Sequence, residues 1–181
     1  MILHVFRRRA RPDTISSLYG TIVAQARMPD FYLDYEVADT LNGRFELLVL
    51  HLALALDRLD TDPALRTLGQ GLFERFCRDM DDNLREIGIG DLSVPKEMRR
   101  IADAFYGRFR AYRAALAGAD ALRLAETLSR NVYGRPLTDK AAPRRLAAYI
   151  QQAHHELHAQ EATALAAGDV RFPNPSNVSA A

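Results

Sequence analysis

Apolar residues recur along most of the chain at intervals of three to four, the spacing that is typical of amphipathic α-helices. Prolines and glycines interrupt this pattern and divide the chain into about six helices. The predicted helices cover residues 14–28, 43–59, 62–87, 93–118, 120–133 and 138–166. No segment has the alternating pattern of paired strands. The sequence therefore predicts an all-α protein, a compact single-domain helical bundle.

Two terminal segments lie outside the predicted helical domain, which covers residues 14–167. Residues 1–13 include four arginines between positions 7 and 11 and no acidic residue before the last position, so they predict a basic N-terminal arm. Residues 168–181 contain two prolines and few periodic apolar residues. This composition predicts an extended or mobile tail.

Composition excludes several broad classes of protein. The formal net charge of +1 is not that of a nucleic-acid binder, so we expect no specific DNA binding. The longest apolar run, residues 47–56, is about half as long as a membrane-spanning helix. The single Cys77 has no disulfide partner, which indicates a reducing compartment. Residues 1–6 are too few for a signal-peptide core and precede the arginines, so we do not expect export.

The second predicted helix is apolar on nearly all sides, as expected of a helix surrounded by neighbours. Its polar residues form two narrow stripes, one of Arg44, His51 and Arg58 and one of Glu46 and Asp57. In a structural interpretation, Glu46 pairs with an arginine inside the bundle and His51 donates to a carbonyl group, because buried charges survive by pairing. In a functional interpretation, these residues form a polar seam open to a partner. Periodicity alone does not separate the two.

Two clusters raise the question of a metal. Residues 79–86 carry several carboxylates but lack the glycine and the glutamate that a calcium-binding loop requires. Ion pairs along a solvated helix face explain why these carboxylates occur together. His154 and His158 share one face of the last helix, in the sequence HHELH, which is not the HExxH motif of a metalloprotease. No third ligand can be identified for them. We therefore predict no metal, no cofactor and, without a nucleophile or phosphate-binding motif, no enzyme.

The fourth predicted helix interleaves arginines with aromatic residues. Such a pattern can bind RNA or an acidic membrane surface. More often the rings fill the core, while the arginines lie outside with their stems packed down. We predict that Phe105, Phe109 and Tyr112 lie in the core and that the arginines are available to a partner.

Several short motifs occur together in one order along the chain. They are Tyr19-Gly20, Gln25-Ala26-Arg27, Pro29, Phe31-Tyr32, Asp39-Thr40, Gly43-Arg44-Phe45-Glu46, Leu50-His51, a block over residues 79–96, Tyr106-Gly107-Arg108 and Tyr112. This ordered set resembles the ubiquinol–cytochrome c chaperone family, the assembly factors for cytochrome b of respiratory complex III. The resemblance covers about residues 19–116, and residues 119–181 carry no matching motif.

The resemblance implies a non-catalytic chaperone whose client is newly made cytochrome b. It implies a bacterial member of the family that works in the cytoplasm, at the cytoplasmic face of the inner membrane. A small partner protein and the ribosome are further candidate partners, and peripheral contact with the inner membrane is also expected. The residues expected to form or brace the client- or partner-binding surface are Arg44, Glu46, His51, Asp79, Asp81, Arg85, Glu86, Asp91, Lys96, Tyr106 and Arg108.

Two other classes of function remain open. One is a magnesium-dependent enzyme in which the carboxylates of residues 79–86 hold the metal against a phosphorylated substrate. That mechanism requires the carboxylates to converge in a concave pocket. The other is a module that binds RNA or an anionic membrane through the basic arm, with an affinity that falls as salt rises.

Overall fold

The protein is described from a computed structural model over residues 12–118, 120–134 and 141–178. Within those ranges the chain forms eight α-helices and no strand, which confirms the all-α prediction. The helices are α1 Pro12–Ala26, α2 Asp30–Leu33, α3 Leu41–Asp60, α4 Arg66–Glu86, α5 Val94–Ala117, α6 Ala121–Asn131, α7 Ala141–Ala159 and α8 Ala162–Ala167. Residues 1–11 of the predicted basic arm lie outside the described residues.

The described part of the chain has more helices than the six or so that the sequence predicts. One addition is α2, a single turn between the first two predicted helices. The other arises because the helix predicted over residues 138–166 is split into α7 and α8. At this break the Arg58 guanidinium of α3 donates to the main-chain oxygens of Leu157 (3.1 Å) and Gln160 (2.9 Å). These bonds satisfy carbonyl groups at the end of α7, which a periodic pattern does not reveal.

Helix α3 lies at the centre of the bundle. Its residues 47–55 are buried without a break, as the apolar sequence predicts. Helices α1, α4, α5 and α7 pack directly on α3, and α6 joins α5 to α7. Because burying a leucine or valine side chain contributes about 1.5–3 kcal/mol, this one helix supplies a large share of the stabilising apolar burial.

The segment after α8 lies against the helical body, although the sequence shows little apolar periodicity there. Val170 and Val178 are buried. The Tyr35 hydroxyl donates to the main-chain oxygen of Pro175 (2.7 Å), and the Gln25 amide donates to that of Pro173 (2.9 Å). Residues 168–178 thus form part of the folded body, without helix except for a 3-10 turn over Pro175–Asn177.

The start of α3 depends on a close approach of two backbone segments. The Thr40 hydroxyl caps the helix by accepting a hydrogen bond from the Gly43 main-chain nitrogen (3.2 Å). A Cβ atom at Gly43 would overlap the main-chain oxygen of Ala38. This overlap explains why a glycine occupies the first turn of an otherwise apolar helix.

We expect Gly43→Ala to lower the free energy of unfolding by about 2–3 kcal/mol, because the backbone of residue 38 must move to admit the methyl group. Gly107→Ala is the matched control, since Gly107 is also helical and has no atom within 4 Å of the added Cβ. The control should gain about 0.5–1 kcal/mol from the higher helix propensity of alanine. Urea unfolding followed by circular dichroism measures the free energy of unfolding of both variants. Equal stabilities for the two variants would contradict the steric explanation.

Candidate partner-binding groove

An open groove of about 550 Å³ lies between α1, α3 and α4 and is called here the groove. Its walls are mostly apolar. They include Val23 of α1, Phe45 and Leu48 of α3, Met80 and Leu84 of α4 and Ile101 of α5. A cavity of this size and lining is typical of a site that receives apolar groups from another molecule.

Two large apolar side chains of the groove are exposed to solvent. Leu41, the first residue of α3, is 80% exposed, and Ile87, directly after α4, is 66% exposed. Both line the groove. A single exposed leucine is ordinary on a protein surface, but two beside one apolar groove extend its apolar surface outward. Part of the apolar surface at the groove is therefore left uncovered by the rest of the described chain.

The two predicted site residues that line the groove, Arg44 and Asp79, already have partners within the protein. Arg44 forms an exposed ion pair with Asp39 (2.6 Å). Asp79 accepts a hydrogen bond from the Tyr19 hydroxyl (2.8 Å) and lies 3.6 Å from the Arg75 guanidinium. Burial, together with the hydrogen bond to Asp79, raises the pKa of Tyr19 far above its ordinary value, so the phenol remains a donor.

A short loop, residues 87–93, follows α4 and continues from the groove through Ile87. Arg85 holds it by pairing with Asp81 one turn earlier (2.7 Å) and with Asp91 in the loop. Gly88 has the positive φ of 86° that the chain reversal requires. Leu92 is 99% exposed at the surface of this loop. The three charged residues thus brace a loop that presents an apolar side chain to solvent.

Glu46 and Arg108 join α3 to α5 inside the bundle. The Arg108 guanidinium donates to both carboxylate oxygens of Glu46, each at 2.5 Å. Glu46 is only 1% exposed. Burial raises the pKa of the Glu46 carboxyl, and the hydrogen bonds from Arg108 oppose that rise. This contact is the pairing with an arginine that the structural interpretation of α3 predicts.

His51 lies on the opposite side of α3, between α7 and the last segment of the chain. Its Nδ1 is 2.8 Å from the main-chain oxygen of Leu47, and its Nε2 is 2.9 Å from the Tyr149 hydroxyl. Because a carbonyl oxygen only accepts, Nδ1 carries the proton and Nε2 accepts from Tyr149. Burial lowers the pKa of His51 from 6.5 to about 4. The predicted bond between His51 and a carbonyl group is therefore present.

The predicted site residues thus fall into distinct groups. Arg44 and Asp79 line the groove, and Asp81, Arg85 and Asp91 hold the adjoining loop. Glu46, His51 and Arg108 lie inside or partly inside the bundle, where they position helices. Glu86 and Lys96 are exposed outside the groove, and Tyr106 is half-exposed with its ring 5.4 Å from that of Phe73.

Sequence reasoning missed the apolar walls of the groove. Met80, Leu84 and Ile87 recur at helical spacing, and that pattern predicts core positions on α4. In the structure, Met80 and Leu84 are half-buried and Ile87 is exposed. Periodicity identifies an apolar face but does not reveal which part of that face a neighbouring helix covers.

The magnesium alternative lacks the convergence it requires. Over the described ranges, the acidic side chains of residues 79–86 do not meet as a group of three ligands. Asp79 is bonded to Tyr19, and Asp81 is paired with Arg85. Residues 1–11, which carry all four arginines of the basic arm in the other alternative, lie outside the described residues. In the part of the chain that the structure describes, no helix combines the length and apolarity needed to cross a bilayer.

Comparisons with known proteins give a matching family and a similar solved structure. The family model described as ubiquinol-cytochrome C chaperone matches residues 33–172. Among solved structures, the chain is similar to the crystal structure of the Cbp3 homolog from Brucella abortus, with a TM-score of 0.86 and 42% identity. The similarity covers 99% of this chain and 100% of the other. The comparison with curated proteins gave no match. The family match extends past residue 116, where the recognised motifs end.

We expect Arg108→Leu to lower the free energy of unfolding by about 3 kcal/mol at neutral pH, because it leaves the Glu46 carboxylate buried without a partner. Adding Glu46→Gln should recover much of that loss, since no unpaired charge remains. Arg100→Leu on the same helix is the control. It breaks an exposed pair with Glu97 and should change stability by less than about 1 kcal/mol. Similar losses for the two arginine variants would contradict the role of the buried pair.

The buried His51 should make the protein sensitive to acid. The unfolded chain binds a proton on this histidine near pH 6.5 and the folded chain only near pH 4, so acidification between these values favours unfolding. We expect this one group to cost about 2 kcal/mol between about pH 7 and about pH 5. Urea unfolding across that range should show a shallower loss for His51→Gln than for the wild type. Parallel pH profiles would show that His51 does not titrate in this way.

Proposed function

We propose that this chain, which belongs to the ubiquinol-cytochrome C chaperone family, is a non-catalytic assembly chaperone for complex III and that its client is newly made cytochrome b. The observation that carries the proposal is the apolar groove between α1, α3 and α4, in a chain of a chaperone family. A client that still awaits its membrane partners exposes apolar helix surface, and such a groove can shield part of it.

The groove suits one face of an apolar helix. Membrane-spanning helices carry about 20 consecutive apolar residues, so a newly made membrane protein offers many side chains to such a site. A volume of about 550 Å³ receives a few of them rather than an entire helix. Recognition of this kind uses anchors at helical spacing from one face of the bound segment. We propose that Leu41 and Ile87 contact that face from the two sides of the groove.

The loop over residues 87–93 extends the proposed surface beyond the groove. Leu92 projects from it, and Arg85 holds its position through Asp81 and Asp91. Exposed ion pairs of this kind contribute about 0–1 kcal/mol to stability. A charge change in the loop should therefore affect partner binding without unfolding the bundle, which makes these residues useful for testing the proposal.

The family also supports a chaperone over an enzyme. Asp79 and Asp81 of α4 are engaged with Tyr19 and Arg85, and in the described ranges the acidic residues of this helix do not converge as a group of three ligands, so a magnesium mechanism has no support among the described residues. A small partner protein, the ribosome and peripheral contact with the inner membrane are part of the proposal, as is a location in the cytoplasm beside that membrane. These elements come from the family resemblance.

The client and its site can be tested together by affinity capture of the tagged chain from respiring cells. We expect cytochrome b to be enriched over other inner-membrane proteins. Leu41→Glu combined with Ile87→Glu should reduce that enrichment at least about tenfold, because carboxylates then face an apolar partner. Leu33→Glu is the matched control, since Leu33 is 78% exposed, comparable with Leu41, but does not line the groove.

The results of this capture experiment test the identity of the client and the location of the binding site separately. Cytochrome b that is not enriched with the wild-type chain would reject the client. Enrichment that is intact in the double variant, with helicity preserved, would reject the groove as the site. Charge reversal at Arg85 and Asp91 tests the loop in the same assay. Capture that these reversals leave unchanged would remove the loop from the proposed surface.

A further inference from the structure

A carboxylate of α3 meets two histidines of α7 at a site far from the groove. Oδ2 of Asp57 lies 3.2 Å from Nε2 of His154 and 3.1 Å from Nε2 of His158. The centroids of the two imidazole rings are 4.3 Å apart. In the described parts of the chain, this group, called here the Asp57 cluster, places one potential ligand atom from each of three side chains within 4.8 Å of one another.

The geometry of the Asp57 cluster suits one metal ion. His154 and His158 are four residues apart on a helix, so they project from the same face. Zinc ligands lie about 2.0–2.1 Å from the ion, and tetrahedral coordination then separates neighbouring ligand atoms by about 3.3 Å. The observed separations of 3.1 and 3.2 Å are within a few tenths of an ångström of that value. Each imidazole would shift its proton from Nε2 to Nδ1, which frees the Nε2 lone pair for the ion with little movement of the side chains.

The protonation states also suit a cation. Burial opposes ionisation of Asp57, but hydrogen bonds from His154 and His158, together with the charge of Arg113, hold the pKa of the carboxyl below its ordinary value. Burial lowers the pKa of His158, which favours the neutral imidazole. An ionised carboxylate and a neutral imidazole are the forms in which these groups bind metals.

Neighbouring groups orient the carboxylate and also limit the affinity. Arg113 of α5 lies 2.8 Å from Oδ1 of Asp57, which leaves Oδ2 directed at the two histidines. Hydrogen bonds of this kind around metal ligands commonly fix the ligand orientation. The positive charges of Arg113 and Arg58 oppose a dication, although Arg113 is also paired with Asp60 (3.1 Å). We therefore expect weaker binding than at cysteine-rich structural zinc sites.

We propose that Asp57, His154 and His158 bind a divalent transition-metal ion of the zinc class and that the ion joins α3 to α7. Two imidazoles and a carboxylate form a donor set that zinc accepts, with water at the fourth position. Both histidine side chains are about 30% exposed, which gives the ion and the water a path from solvent. The proposal does not depend on the client or on the groove.

Metal-free protein titrated with zinc in competition with a chromophoric chelator tests this site. We expect one zinc ion per chain and a loss of affinity of at least about tenfold in His154→Gln and in His158→Gln, because each variant removes one of three protein ligands. His155→Gln is the matched control, since this histidine lies between the other two on the same helix but is exposed and outside the Asp57 cluster. Its affinity should equal that of the wild type.

Two further measurements distinguish this site from adventitious binding. Cobalt in place of zinc should give the intense visible bands of four-coordinate geometry in the wild type and weak bands in His158→Gln. Zinc should raise the melting temperature of the wild type but not of His158→Gln, because a ligand that binds only the folded state stabilises it. No stoichiometric binding, or equal binding by the wild type and both cluster variants, would overturn the proposal and leave the Asp57 cluster as hydrogen bonds and ion pairs alone.

Discussion

The burial of α3 on nearly all sides is the constraint on which the rest of the structure depends. Polar side chains in the buried part of such a helix cannot reach water, so each must find a partner on a surrounding helix. Glu46 pairs with Arg108 of α5, His51 bonds to Tyr149 of α7, and Asp57 contacts both helices. The polar residues of α3 therefore specify where α5 and α7 lie, whereas its apolar residues supply the stabilising burial.

The groove follows from the same arrangement. Arg108 holds α5 against one face of α3, and α1 and α4 pack on others, but together they leave the side chain of Phe45 partly uncovered, next to Leu48 in the groove. A binding surface that rests on a central, rigid helix keeps its shape better than one formed by loops. Only the adjoining loop over residues 87–93 needs separate support, and Arg85 provides it.

Local pattern predicted most of the helices and the central position of α3, because these features depend on period and burial. For Glu46 and His51 it offered the observed kind of partner as one of two interpretations. It did not predict which arginine pairs with Glu46, or that Asp57 lies beside His154 and His158. Asp57 precedes His154 by 97 residues, and only the packing of α3 against α7 brings them together. The groove was missed for a related reason, since apolar periodicity does not distinguish a covered helix face from an open one.

The groove and the Asp57 cluster lie at opposite ends of α3, and this separation determines how they can influence each other. Asp57 follows Leu48, the groove residue of α3 nearest to it in sequence, by nine residues, which corresponds to about 14 Å along a helix axis. An ion at the cluster would therefore not contact the side chains that the groove receives. Its effect reaches the groove only through the attachment of α3 to α7, as a change in the stability of the bundle. If both proposals hold, loss of zinc binding should thus leave partner affinity intact under conditions where the fold is stable, and the two proposed functions should be separable by mutation.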